Sequence, residues 1–186
     1  MAGILKINNN EVFGSDGTFS GTIGSNASVN TQDYFLVKMN GDQTISDNTW
    51  SDVEFDEDVH DPNSWFDTST RKFQPTKAGK YYIYAIIMIN SGGNGNIYLN
   101  QLAVSKNTTT GTNTDQVAYD QYDFRNERIS DNGLKAINIV DMNGSSDYLE
   151  VYTYINNTSG SPAYSGSGVK GTHFGAYRIV GVYHGT

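Results

Sequence analysis

The chain has 186 residues, 20 acidic against 12 basic, a formal net charge of −8 and no cysteine. This length suffices for one well-buried domain with a short extension, and the lack of Cys excludes a disulfide framework, a thiol nucleophile and a thiolate metal site. The negative balance and the scattered bases disfavour nucleic acid as a partner, because a phosphate backbone would be repelled.

The first 32 residues differ from the rest. Ile4, Leu5 and Ile7 surround Lys6 in a β-like patch, and Val12 and Phe13 lead into a Gly14-Ser15-Asp16-Gly17 turn. The stretch that follows is rich in Gly, Ser, Thr and Asn and cannot bury enough apolar surface to fold alone. Residues 1–32 are therefore expected to be an anchoring arm or linker, with Ile4, Leu5, Ile7, Val12 and Phe13 as the assembly anchors. The bland alternative is a disordered leader. The opening carries too few apolar residues for a secretory signal, and no window approaches a membrane span.

From Tyr34 the pattern is all-β. Strands are predicted over Tyr34–Met39 and over Trp50–Phe55, the latter with Val53 and Phe55 on one face. Lys80–Asn90 reads KYYIYAIIMIN, a near-continuous apolar run that implies burial on both faces. Asn96–Lys106 alternates with Ile97, Leu99 and Val104 inward, followed by a Thr-rich loop expected to be exposed. Further strands are predicted over Leu134–Val140, Tyr148–Ile155 and Thr172–Tyr183. The 13 Tyr and 8 Phe and the many turn formers suit short strands and tight turns. No internal repeat, heptad or amphipathic helix is present.

One block carries a resemblance. Val53 and Phe55 precede Phe66-Asp67-Thr68-Ser69-Thr70-Arg71-Lys72-Phe73, and six residues later comes Gly79-Lys80-Tyr81-Tyr82-Ile83. This resembles the complement C1q globular head and its tumour-necrosis-factor-like relatives, where an aromatic-Asp pair and Thr-Gly-Lys-Phe lead into a Gly-x-Tyr strand. Arg71 stands where the family has Gly. The closing His173–Val180 segment is similar to the family's last strand, with Gly175 and Ala176 in its small positions. The resemblance spans about residues 33–184. It implies an antiparallel two-sheet jelly-roll sandwich over residues 33–186, assembled as a homotrimer. It marks Phe35, Val53, Phe55, Phe66, Phe73, Gly79, Tyr81, Ile83, Phe174 and Tyr177 as family core.

Candidate sites are few. Asp56, Asp58 and Asp61 form the densest acidic cluster and are the calcium candidates, although the spacing lacks the Asp-x-Asp-x-Asp-Gly pattern and a solvated loop explains it as well. The three histidines, His60, His173 and His184, have no metal-binding spacing, and no nucleophile elbow or phosphate loop occurs. No enzyme, no cofactor and no metal are expected. Tyr119, Tyr122, Phe124 and Arg125 are an interface or ligand candidate, since Tyr and Arg dominate binding hot spots.

The opening patch before a Gly-Asp-Gly-like turn is similar to that of phage tail-fibre and other virion proteins. Together with the knob-like family, it leads to the expectation of a virion surface protein, trimeric and attached by its arm, most simply head decoration or cement. The alternative is a tail-fibre or receptor-binding module that recognises host glycan or protein. The expected partners are copies of itself and capsid or tail proteins, without membrane insertion.

Overall fold

The computed structural model describes residues 5–7, 10–13, 32–91, 96–112, 114–158, 163–166 and 171–179, with backbone alone for 5–7, 10–13 and 163–166. Two compact units divide the chain, Met1–Thr31 and Gln32–Thr186. In the first, β1 (Leu5–Ile7) pairs antiparallel with β2 (Asn10–Phe13), with Lys6 opposite Glu11 and a register shift between Leu5 and Lys6. Ile4 lies outside the described residues.

The second unit is two antiparallel sheets facing each other. Its strands in order are β3 (Tyr34–Lys38), β4 (Gln43–Ile45), β5 (Ser51–Asp52), β6 (Glu57–His60), β7 (Phe66–Asp67), β8 (Lys72–Phe73) and β9 (Gly79–Asn90). Then follow β10 (Ile97–Lys106), β11 (Gln116–Asp123), β12 (Asp131–Met142), β13 (Leu149–Asn157), β14 (Ala163–Gly166) and β15 (His173–Arg178). One sheet runs β11-β10-β13-β8-β7, with β5 also on β13. The other runs β4-β14-β9-β15-β3-β6, with β12 on the far side of β9. This is the all-β class expected from the period-two patterning, in the two-sheet arrangement that the resemblance implies.

The inner faces meet in a core with an aromatic end. Phe35 stacks on Phe73 at 4.2 Å between ring centroids, and Phe174 meets Phe35 edge-on at 5.0 Å. Trp65, Phe55, Phe66 and Tyr81 complete this layer, and Ile83, Ile87, Leu102, Leu134 and Ile155 fill the rest. Each fully buried Phe or Ile contributes roughly 1.5–3 kcal/mol, and Phe73 meets Tyr81 edge-on at 5.7 Å, which joins the Phe66–Phe73 block to the Tyr81 strand. The Tyr81 hydroxyl donates to the Lys77 carbonyl at 2.8 Å. Burial pushes its pKa up to about 12. Where the chain enters this unit, the buried Asp33 carboxylate pairs with Lys77 and Arg178.

Several predicted details are corrected. The Trp50–Phe55 strand is only Ser51–Asp52, yet Val53 and Phe55 are still buried because the extended chain continues, Val53 N–H donating to Val151 C=O at 2.9 Å. Leu99 is not a core residue: a register shift between Ile97 and Leu99 resets the alternation, so Asn100, Leu102 and Val104 point inward after Ile97. The described residues of the Thr-rich loop are mostly exposed, with Thr108 half-buried and Gly111 buried so close to Trp50 and Tyr152 that an added Cβ would come within 2.8 Å of both. The loop thereby covers β13 at Tyr152, and Glu150, Val151, Tyr152 and Thr153 are all buried along this strand.

The two sheets approach each other along one open side, between β11 and β12. The Lys135 N–H, on the unpaired edge of β12, donates to the Asp120 carboxylate at 2.9 Å. Asn138 donates its amide to the Val117 carbonyl and accepts from the Ile139 N–H at 2.8 Å.

Candidate functional site

The outer face of the β3-β15-β9-β12 sheet is the dominant surface feature. The run KYYIYAIIMIN does not bury both faces. Tyr81, Ile83, Ala85, Ile87 and Ile89 face the core at 0–1 % exposure, while Tyr82, Tyr84, Ile86 and Met88 are only partly covered. The alternation of β9 is clean, and the apolar character of its second face is unused within one copy.

Strand register assembles that face in rows, because directly paired residues of antiparallel strands share a side. Tyr34, Tyr177, Tyr82 and Ile139 form one row, and Leu36, Gly175, Tyr84 and Ile137 the next. Tyr82 and Tyr177 stack at 5.1 Å. Tyr34, Ile137, Ile139 and Tyr177 keep 37, 48, 53 and 49 % of their surface exposed. A third row holds Lys38, His173, Ile86 and Lys135. Lys38 is paired with Glu57 at 2.9 Å. Beside it lies a hollow of about 510 Å³ lined by Leu36, Lys38, Val59, Tyr84, Gly171, Thr172 and His173. Burial lowers the His173 pKa, favouring the neutral imidazole, and burial raises that of Tyr84.

Of the marked core residues, Phe35, Val53, Phe55, Phe66, Phe73, Tyr81, Ile83 and Phe174 are buried. Tyr177 is not: β15 turns Phe174 and Ala176 inward and Tyr177 outward beside Tyr82, so it belongs to the outer face. Gly79 opens β9 at φ +149° with the Arg178 side chain where a Cβ would sit. Arg71, in the family's glycine position, adopts a left-handed φ of 60°. It pairs there with Asp52 and, at 2.7 Å, with Glu54.

Two of the three acidic candidates accept backbone N–H groups. Asp56 accepts from the Asn40 N–H at 2.7 Å and Asp61 from the Phe66 N–H at 2.7 Å, whereas Asp58 is exposed on β6. Among the described residues no group of three His, Cys, Asp or Glu side chains converges as metal ligands would. His60 lies against Tyr34 and His173 against Tyr84, on different strands; His184 is outside the described residues. Tyr119 and Tyr122 are exposed on β11, while Phe124 packs partly against the core. The sequence reading missed Tyr82, Tyr84, Ile137 and Ile139. Their signal was present, as apolar residues at the alternate positions of strands whose other face already fills the core.

No protein-family model matches the sequence, and no curated protein matches it either. Solved structures do. The globular domain of a zebrafish complement 1qA protein is similar over 79 % of this chain and 97 % of that one, at 16 % identity and a TM-score of 0.50. The Eiger tumour necrosis factor of S. frugiperda is similar over 82 % of this chain and 94 % of that one, at 13 % identity and a TM-score of 0.51. The fold is thus the jelly roll shared by C1q globular domains and tumour necrosis factor.

Proposed function

We propose that this chain is a non-enzymatic structural module that works as a homotrimer, closed through the outer face of the β3-β15-β9-β12 sheet. The observation that carries this reading is the row Tyr34–Tyr177–Tyr82–Ile139 with Tyr84 and Ile137 beside it. A contiguous apolar sheet face of this kind marks an interaction surface on a soluble domain. A closed ring of identical copies would cover it in every subunit. The C1q- and tumour-necrosis-factor-like fold supports three as the number of copies. Light scattering on purified protein tests this: a mass three times 20.4 kDa is expected. Tyr177→Lys with Ile139→Lys should return it to one. A single-chain mass at all concentrations would overturn the reading.

The particle to which the trimer belongs is proposed to be a virion, with the chain as head decoration. The Met1–Thr31 unit supports attachment, because a two-stranded hairpin such as β1–β2 is at best marginally stable alone and gains from docking on a partner sheet. Deleting residues 2–20 should leave the trimer intact and abolish incorporation into particles. Particles lacking the protein should burst more readily on heating while adsorbing normally to the host. A second reading, an adhesion module, is favoured by the exposed Tyr122 beside Phe124 at one end of the sandwich. Lost adsorption with heat-stable heads would support it instead.

A further inference from the structure

The Phe124–Ser130 turn lies at the end of the sandwich remote from the entry of the chain. Asp33 C=O accepts from the Arg178 N–H, and Arg178 sits opposite Tyr81 near the start of β9. The turn instead leads into Asp131, which is opposite Asn90 at the other end of that strand, and Ser91 N–H donates to Ser130 C=O. The 12 residues of β9 separate the two ends by roughly 35 Å.

This turn is built unlike its surroundings. The Tyr122 and Phe124 rings are parallel within 5°, with centroids 5.9 Å apart, and make one apolar strip. Phe124 is fixed from beneath by the core and by its N–H donating to the Tyr98 carbonyl at 2.8 Å, whereas Tyr122 is 44 % exposed. Alongside is a shallow hollow of about 470 Å³ lined by Asp123, Phe124, Arg125, Asn126 and Glu127. Asp123 accepts from the Arg125 backbone N–H and pairs with its guanidinium at 2.8 Å, and the Glu127 N–H closes the turn onto the Phe124 carbonyl. The polar groups are thus held beside the rings, with acids, a base and an amide in near balance.

We infer that the Tyr122–Phe124 strip and the Asp123–Glu127 hollow form a binding site for a neutral sugar. Aromatic rings pack against the C–H face of a pyranose, and carboxylates, an amide and a guanidinium arranged at their side match its ring of hydroxyl donors and acceptors. The hollow is of small-ligand size. Its mixed charge gives no advantage to an anionic ligand. This deepens the adhesion reading and is independent of how the trimer closes.

The test uses the full chain on an immobilised panel of galactose-, glucose- and mannose-terminated oligosaccharides and their sialylated and sulfated counterparts. Saturation-transfer NMR with the methyl glycoside of the best-bound sugar follows. Binding to neutral members is expected, weakened about tenfold or more by Tyr122→Ala and unchanged by Tyr119→Ala, the other exposed tyrosine of β11. Phe124→Leu, which keeps the packing beneath but removes the second ring, should also weaken it. No binding to any member, binding confined to anionic members, or full binding by Tyr122→Ala would overturn the inference. Light scattering on the same samples reports assembly separately, so a trimer that binds no sugar defeats this inference alone.

Discussion

The ring of Tyr84 lies across the bare backbone of Gly175 on the neighbouring strand. A Cβ at Gly175 would come within 2.4 Å of the Tyr84 hydroxyl oxygen and 2.8 Å of the Phe35 carbonyl oxygen. The absence of a side chain on β15 is what lets the tyrosine lie down over the strand and smooth the sheet face. Gly175→Ala should therefore destabilise the domain by about 1–3 kcal/mol, read as a lower urea midpoint. Adding Tyr84→Ala should restore only part of this, because the Phe35 carbonyl remains in the way. An undiminished midpoint in Gly175→Ala would show that the tyrosine moves at no cost.

Arg71 makes a different compromise at a turn that favours glycine. Its φ of 60° costs an L-residue about 1–2 kcal/mol, offset by the pairs with Asp52 and Glu54. Arg71→Gly, which removes both the strain and the pairs, should change stability by less than about 1 kcal/mol. Arg71→Val keeps the strain, adds β-branching and loses the pairs, and should be the least stable of the series. Equal denaturation midpoints for the Gly and Val variants would contradict this account.

Glu150 is buried on β13, 6 % exposed, with the Tyr152 hydroxyl donating to it at 3.1 Å. Burial raises its pKa above the ordinary Glu value. Its proton is held more tightly in the folded chain, so its contribution is fully present below the unfolded pKa and is lost as pH rises through the folded one. Glu150→Gln keeps an acceptor for Tyr152 and removes the buried charge. The variant should melt higher than the parent at pH 7.5, and the difference should vanish below about pH 4. A constant difference across pH would remove ionisation as its cause.

Asp147 has the opposite sign. Hydrogen bonds from Lys106 above all, and also from Asn107 and the Asn143 N–H, hold its pKa below the ordinary Asp value. The stability it gives is present above the unfolded pKa and is lost as pH falls through the folded one. Asp147→Asn should cost about 1–3 kcal/mol at neutral pH, with the gap to the parent closing in acid. Melting curves at pH 7.5 and 3 decide it; a gap that widens in acid would be incompatible with this sign.

Sequence carried the fold through alternation and a few aromatics. Val53 and Phe55 could be placed inside by alternation, and Phe66, Phe73 and Tyr81 by the family resemblance, and all five are buried in one core. What one chain's pattern could not show was where parity shifts. The irregularity at Ile97–Leu99 exchanged Leu99 for Asn100 on the inward side, and nothing in the local composition marks it. The burial of Tyr152 was equally unmarked, because the loop that covers it is polar and contacts it through a glycine. The outer sheet face was legible only as excess: β9 carried more apolar residues than a single core requires. Tyr177 was assigned inward from family likeness, when the parity of Phe174 and Ala176 already placed it outside.

The side chains along the β11–β12 opening have a further consequence for life at high local density. Vacant amides along a sheet margin invite strands of other chains to join. Asp120 occupies the Lys135 amide and Asn138 the Ile139 amide with groups from their own chain. With these two amides taken, the β12 margin offers an incoming strand fewer free donors than an uncapped one would.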